Sequence, residues 1–255
     1  VNGNYTFNLR QNGDPDNYYF ASNPAKLSEQ LGEAFQKAAT LAVATASAVA
    51  TSGVKVQGGD FVYQAGFDSE KWGGELRAFK VKNDGTLENT PEWRATEKLP
   101  SAASRNVVFG RALSAPLAIN VNSYSSLTTV EKLFFGNNEL RFKYLMGDRA
   151  NERSNGGALR NRTSAPNDTS NNNPTIGDIV NSDPLYIGAA DFAYSDSSYA
   201  TFKASNNPLL VGAGSNDGMY RLVNAQTGVE RLAYMPYSVL TDINKLPNYN
   251  YAHQY

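Results

Sequence analysis

The segment 207–236, NPLLVGAGSNDGMYRLVNAQTGVERLAYMP, constrains the fold more than any other part of the chain, because strand and turn signals alternate along it without a break. Leu209, Leu210 and Val211 form a short apolar run that ends at Gly212 and Gly214. Asn216-Asp217-Gly218 follows, three residues that tolerate the positive φ of a tight hairpin. Residues 219–225 read as a second strand, Thr227-Gly228 as a second turn and 230–234 as a third strand. Three short antiparallel strands in so short a span make a meander.

The grammar recurs upstream. Residues 61–67 read as a strand, Trp72-Gly73-Gly74 as a turn, 75–81 as the next strand and Asn83-Asp84-Gly85 as the following turn. Superimposing Gly74 on Gly218 sets Leu76, Arg77, Ala78 and Phe79 over Tyr220, Arg221, Leu222 and Val223. Both middle strands carry apolar residues at odd and even positions, so each is expected to be covered on two faces. Stacked small sheets of this kind are the blades of a β-propeller; two unrelated hairpins in a mixed domain is the plainer alternative.

Composition removes several function classes. The 23 Lys and Arg residues nearly balance 24 Asp and Glu, for a formal charge of −1, and no concentrated basic face for nucleic acid is visible in the sequence. There is no cysteine, hence no disulfide framework and no thiol chemistry. No apolar run reaches the roughly twenty residues that span a bilayer. The neutral, Asn-, Ser-, Thr- and Tyr-rich composition suits an exported β-protein, and the opening residues read as the interior of a longer precursor. His253 is the only histidine and no G-x-S-x-G elbow occurs, so packing is the expected role of His253 and no catalytic constellation is visible.

Taken in order, residues 1–19 are polar and turn-rich; Asn12, Asp14 and Asp16 alternate as calcium ligands do, but Pro15 interrupts them and a solvated turn is expected. A short strand over 18–21 leads to a helix capped by Asn23 and opened by Pro24, with Leu27, Leu31, Phe35 and Ala38 on one face, which the Ala/Thr/Ser run 38–52 can continue. Residues 99–175 interrupt the β pattern: strands are expected at 106–109 and 117–121, and helices at 130–135 and 139–146, the second capped by Asn137 or Asn138. Asp148, Arg149, Glu152 and Arg153 then form an expected ion-pair cluster closing that helix, and 151–174 a long Asn-rich connection before a strand restarts within 176–188.

The runs GDIVNSDPLYIG (177–188), GSNDGMYRLVNAQTGVERLAYMP (214–236) and YAHQY (251–255), with LMGDRANE (145–152) and WGGELRAFKV (72–81), resemble the C-terminal β-propeller of the PilC/PilY family of type IV pilus tip and assembly proteins. YYFASNPAKLSEQLGEAF (18–35) resembles the last strand and helix of a von Willebrand factor A-like domain, as precedes the propeller in several members. The resemblance implies a mainly β protein: residues 1–55 are the α/β end of an A-like domain and a linker, and 56–255 part of a quinoprotein-like propeller with helices inserted over 101–175, continuing past the chain end. It implies a non-enzymatic, exported protein at the pilus tip or outer membrane, acting in pilus assembly, retraction control and adhesion. Minor pilins and a host-cell or abiotic surface are the implied partners. No cofactor or metal is assigned within the chain; calcium is implied only for the full-length protein. A periplasmic quinoprotein dehydrogenase or an outer-membrane assembly scaffold is the alternative. Trp72, Gly74, Asp84, Gly85, Asn216, Asp217, Gly218 and Gly228 are expected as turn and blade residues, with Trp72 and Trp93 stapling neighbouring sheets.

Overall fold

The structure, a computed structural model, describes residues 43–50, 59–68, 72–162, 175–190, 192–205, 209–249 and 251, which apart from Val43 lie in the unit Ala44–Tyr255. The expected strand and helix at 18–35, the 12–17 turn, His253 and the second half of the 151–174 connection lie outside the described residues.

The first sheet has the order β1-β2-β3-β4, built from Val43–Ala50, Phe61–Asp68, Gly73–Lys80 and Trp93–Arg94. β2 and β3 pair antiparallel along their full length, from Phe61 opposite Lys80 to Asp68 opposite Gly73. β1 corrects the expectation that the run 38–52 continues a helix. Its sequence, VATASAVA, alternates Val, Thr or Ser with Ala, and the β-branched Val43, Thr45 and Val49 at odd positions fit a pleat better than a helix.

The second sheet has six strands in the order β6-β5-β10-β9-β8-β7: β5 is Val107–Phe109, β6 Leu117–Ile119, β7 Leu185–Ile187, β8 Leu210–Ser215, β9 Met219–Asn224 and β10 Glu230–Met235. The meander read from 207–236 is β8, β9 and β10, antiparallel throughout. The one parallel join places Ala233, Tyr234 and Met235 beside Val107, Val108 and Phe109. Through it the β5–β6 hairpin, inside the segment expected as an insertion, becomes part of the same sheet.

One face of each sheet is dry. Tyr63, Ala65, Leu76, Ala78 and Trp93 of the first sheet form one apolar cluster with Val211, Ala213 and Val223 of the second. Tyr220 and Leu222, on the other face of β9, are half-buried, and Tyr234 of β10 is exposed, so that face is less covered than the two-sided expectation. The superposition of Gly74 on Gly218 also fails. It lays buried Leu76 and Ala78 over outward Tyr220 and Leu222, a slip of one residue that inverts the faces of a period-two strand. Gly218 is a left-handed turn residue with φ 82°, whereas Gly74 lies within β3.

A second cluster packs Val107, Phe109, Ile119, Met219, Ala233 and Met235 against Phe135, Phe142, Leu145, Leu240 and Ile243. Its helices are Thr129–Leu133 and Glu139–Leu145. The first opens on a complete capping box, Thr128 Oγ1 accepting from Glu131 N and Glu131 Oε2 from Thr128 N. Asn138 caps the second through Leu140 N and Arg141 N. No helix among the described residues is long and apolar enough to cross a membrane.

Candidate functional site: the β8–β9 turn and the charges behind it

Met219, Arg221 and Val223 point to the same face of β9, yet Met219 belongs to one apolar cluster and Val223 to the other. Arg221 lies between them and carries a chain of buried charge. Its Nη2 donates to Asp217 Oδ2 and its Nη1 to Glu230 Oε2 at 2.5 Å. Glu230 also accepts from Arg105 Nε at 2.8 Å and Arg105 Nη2 at 3.0 Å, and Arg105 Nη1 reaches Met146 O at 3.0 Å. Two guanidiniums and two carboxylates thus neutralise one another at the seam between the apolar clusters.

A β-bulge makes the meeting possible. Glu230 faces Val223 and Ala233 faces Arg221, both on the inner side, although strict alternation would send positions three apart to opposite faces. The register shifts between Glu230 and Leu232, with Arg231 exposed, and this returns Ala233 to the core.

Burial by itself would raise the Glu230 carboxyl, but Arg221 and Arg105 outweigh it and hold that group below the usual carboxylate range. Asp217 behaves alike: against desolvation stand Arg221, the Ser215 hydroxyl at 2.6 Å and the Gly177 amide at 3.0 Å, and its carboxyl is held low. Burial and then the like charge of Arg221 pull Arg105 below the ordinary guanidinium range. The two carboxylates are thus held between the two guanidiniums, and the cluster ties β9, β10 and the segment before β5 together.

The turn in front of this network is the rim of two adjoining concavities. One, of about 310 Å³, is walled by Val180, Ser182, Tyr220, Pro236 and Val239; the other, of about 370 Å³, by Ser238, Asp242, Ile243, Leu246 and Tyr251. Ser215, Asn216, Gly218 and Val239 line both. Asn216 is fixed by its Nδ2 on Asp178 Oδ2 at 2.6 Å, and Ser182 Oγ accepts from Gly214 N at 2.8 Å. Asp242, the charged wall residue, pairs with Lys245 at 2.5 Å. Amide, hydroxyl and apolar groups on a rigid turn are the chemistry of recognition.

The other expected residues have distinct surroundings. Trp93 donates from Nε1 to Ala225 O at 3.0 Å and packs on Gly228, where a Cβ would lie 2.6 Å from the indole; the indole therefore joins the two sheets. Trp72, at φ 54°, stacks on Phe67 with centroids 5.9 Å apart. Gly74 lies so close to the Gly177 carbonyl that a Cβ would stand 1.9 Å from its oxygen, where Gly73 and Gly177 form an isolated antiparallel bridge. Asp84 accepts from Thr86 N and Oγ1 at 2.9 and 2.7 Å, with Gly85 at φ 83° completing that turn. Among the described residues no group of three His, Cys, Asp or Glu side chains could hold a metal ion.

Around 148–153, Arg149 and Glu152 are buried and paired at 3.0 Å. Arg162 joins them, its Nε 2.7 Å from Glu152 Oε1, and reaches Tyr144 O and Asp148 O at 2.7 and 2.8 Å. Asp148 accepts from Ala150 N, and Arg153 stands apart over the Tyr249 ring. Sequence reading missed Arg105, Arg162, Arg221 and Glu230. A usable signal existed for Arg221 alone, a charge at an inward position between Met219 and Val223.

Over 266 residues the chain is 30% identical to a type IV pilus biogenesis factor PilY1 homolog of Xylella fastidiosa, covering 100% of this chain and 20% of that protein. It is 27% identical over 263 residues to the type IV pilus biogenesis factor PilY1 of Pseudomonas aeruginosa strain UCBPP-PA14, covering 93% of this chain and 22% of the relative. The chain thus spans about a fifth of the length of these relatives. No family profile and no solved structure matches it.

Proposed function

The chain belongs to the PilC/PilY family of type IV pilus biogenesis proteins, and from that premise we propose that it is part of an exported, non-enzymatic protein at the pilus tip. In this reading the protein supports pilus assembly, opposes retraction and presents surface for adhesion to host cells or abiotic surfaces, with minor pilins as its partners. The observation that carries the reading is the likeness to a pilus biogenesis factor along the whole chain. Two sheets joined by an apolar cluster, with a concave uncharged rim at the β8–β9 turn, are in keeping with a binding scaffold. The sheets belong, on this reading, to a β-propeller preceded by the end of a von Willebrand A-like domain, and calcium would bind elsewhere in the full-length protein.

Deletion of the gene should reduce surface pili and adherence, and the full-length protein should co-purify with minor pilins. Normal piliation and adherence in the deletion strain would overturn the reading.

A further inference from the structure

Charge is unevenly spread in this nearly neutral chain. Residues 139–162 hold six Lys and Arg against three Asp and Glu, while the whole chain has a formal charge of −1. Half of those basic residues are matched locally: Arg149 and Arg162 pair with Glu152, and Lys143 with Glu139 at 2.9 Å, while Arg160 donates to Leu246 O at 3.0 Å. Arg141 and Arg153 are placed differently.

Arg141 Nη1 donates to Asn244 O at 2.6 Å and its Nη2 to Asn248 Oδ1 at 2.8 Å. The Arg153 guanidinium lies 3.8 Å above the centre of the Tyr249 ring. All of these partners are neutral, and among the described residues no carboxylate pairs with either arginine. Asn248 and Tyr249 are consecutive, so two guanidiniums from separate parts of the 139–162 segment are braced on one short stretch of chain. Arg153, Asn248 and Tyr249 are exposed there.

Two properties follow. Bracing removes beforehand much of the side-chain entropy that a mobile surface arginine loses on binding. Stacking on a ring and bonding to an amide leave the positive charge intact, and each guanidinium has more N–H donors than these contacts use. We propose that Arg141 and Arg153 form a docking site for an acidic segment of a partner protein, reading two closely spaced Asp or Glu carboxylates. A polynucleotide fits poorly, because affinity for a phosphate chain grows with the number of phosphates neutralised and two guanidiniums on a chain of net negative charge neutralise few. The proposal rests on the pilus reading only in taking the partner to be a protein, and its test reads binding without reference to piliation.

The test is fluorescence anisotropy of a labelled peptide with four consecutive Glu residues, titrated with the purified full-length protein. The site predicts saturable binding that weakens as salt is raised. Arg153→Gln should weaken it about tenfold, as expected for loss of one charge-assisted contact, and Arg141→Gln combined with Arg153→Gln should weaken it further. Tyr249→Ala, which keeps both charges and removes the brace, should weaken binding less than Arg153→Gln. Lys203→Gln, on the helix Ser197–Ser205, controls for net charge and should change nothing. Exposed Arg153 and Tyr249 keep the test usable if Arg141→Gln misfolds, with unchanged circular dichroism as the check. Equal affinity for a Gln peptide of the same length, undiminished binding by Arg153→Gln, or tighter binding of an oligothymidylate would each overturn the proposal. Loss of pili on gene deletion without peptide binding would sink this site and leave the pilus reading standing; peptide binding with normal piliation would do the reverse.

Discussion

The Arg105–Glu230–Arg221–Asp217 cluster ties residues up to 125 positions apart, whereas the Arg149–Glu152–Arg162 cluster closes within 13. Both bury charge, but they do different work. The first exists only when β5, β9, β10 and the turn before β9 have assembled, so its contacts form together with the whole sheet. The second can close as soon as one segment folds back, because the cost of closing a short loop is small and local. A buried ion pair is seldom a net source of stability over an apolar pair of the same shape, yet removing one partner strands the other in a dry interior. Damage to the first cluster should therefore be felt globally, and damage to the second locally.

Glu230→Gln tests that contrast most severely. It leaves Arg105 and Arg221 buried with one carboxylate between them, and should cost about 3–5 kcal/mol of global stability, measured by urea unfolding followed by tryptophan fluorescence. A loss under about 1 kcal/mol would mean that water reaches the cluster.

Acid should attack the same cluster. Asp217 and Glu230 have carboxyl groups lower in the folded than in the unfolded chain, so their contribution is complete above the ordinary carboxylate range near pH 4. It is lost as pH falls through their folded-state values, at up to roughly 1.4 kcal/mol per pH unit for each group. Urea midpoints measured at falling pH should drop through that window, and the drop should be shallower in Glu230→Gln. Equal slopes in the two proteins would show that other carboxylates control acid unfolding.

Glu152→Gln should cost roughly 1–3 kcal/mol, with the effect concentrated in faster amide hydrogen exchange over residues 149–162. Equal acceleration in β9 and β10 would erase the distinction between the clusters. Trp93→Phe is the mildest change: it removes the hydrogen bond to Ala225 O between the sheets, keeps an aromatic ring in most of the indole's place, and should cost about 1–2 kcal/mol. No change in the urea midpoint would show that packing alone, without that hydrogen bond, joins the sheets.

How far these regions were legible in the sequence follows from the range of their interactions. The β8–β9–β10 meander was readable because each turn carries its own conformational reason, Gly218 at φ 82° and Gly228 at φ 72°. The helix Glu139–Leu145 was readable from Asn138, whose side chain caps it two and three residues on. Residues 43–50 of the run 38–52 were misread because a string of small residues has no strong preference of its own, and the alternation of Val and Thr became decisive only beside β2. Glu230 opens the third strand of the sequence reading, and nothing beside it in sequence signals the bulge that turns it inward.

Local chemistry in the sequence was enough to place turns, caps, most strands and the predominance of β structure, since each of those depends on residues a few positions apart. Which faces meet, where Arg105 and Arg221 find their carboxylates, and how Arg141 and Arg153 come to share one stretch of chain were decided only by the tertiary structure. Arg105 meets Glu230 across 125 positions and Arg141 meets Asn248 across 107, and a one-residue slip such as that between Gly74 and Gly218 exchanges the inside of a strand for its outside.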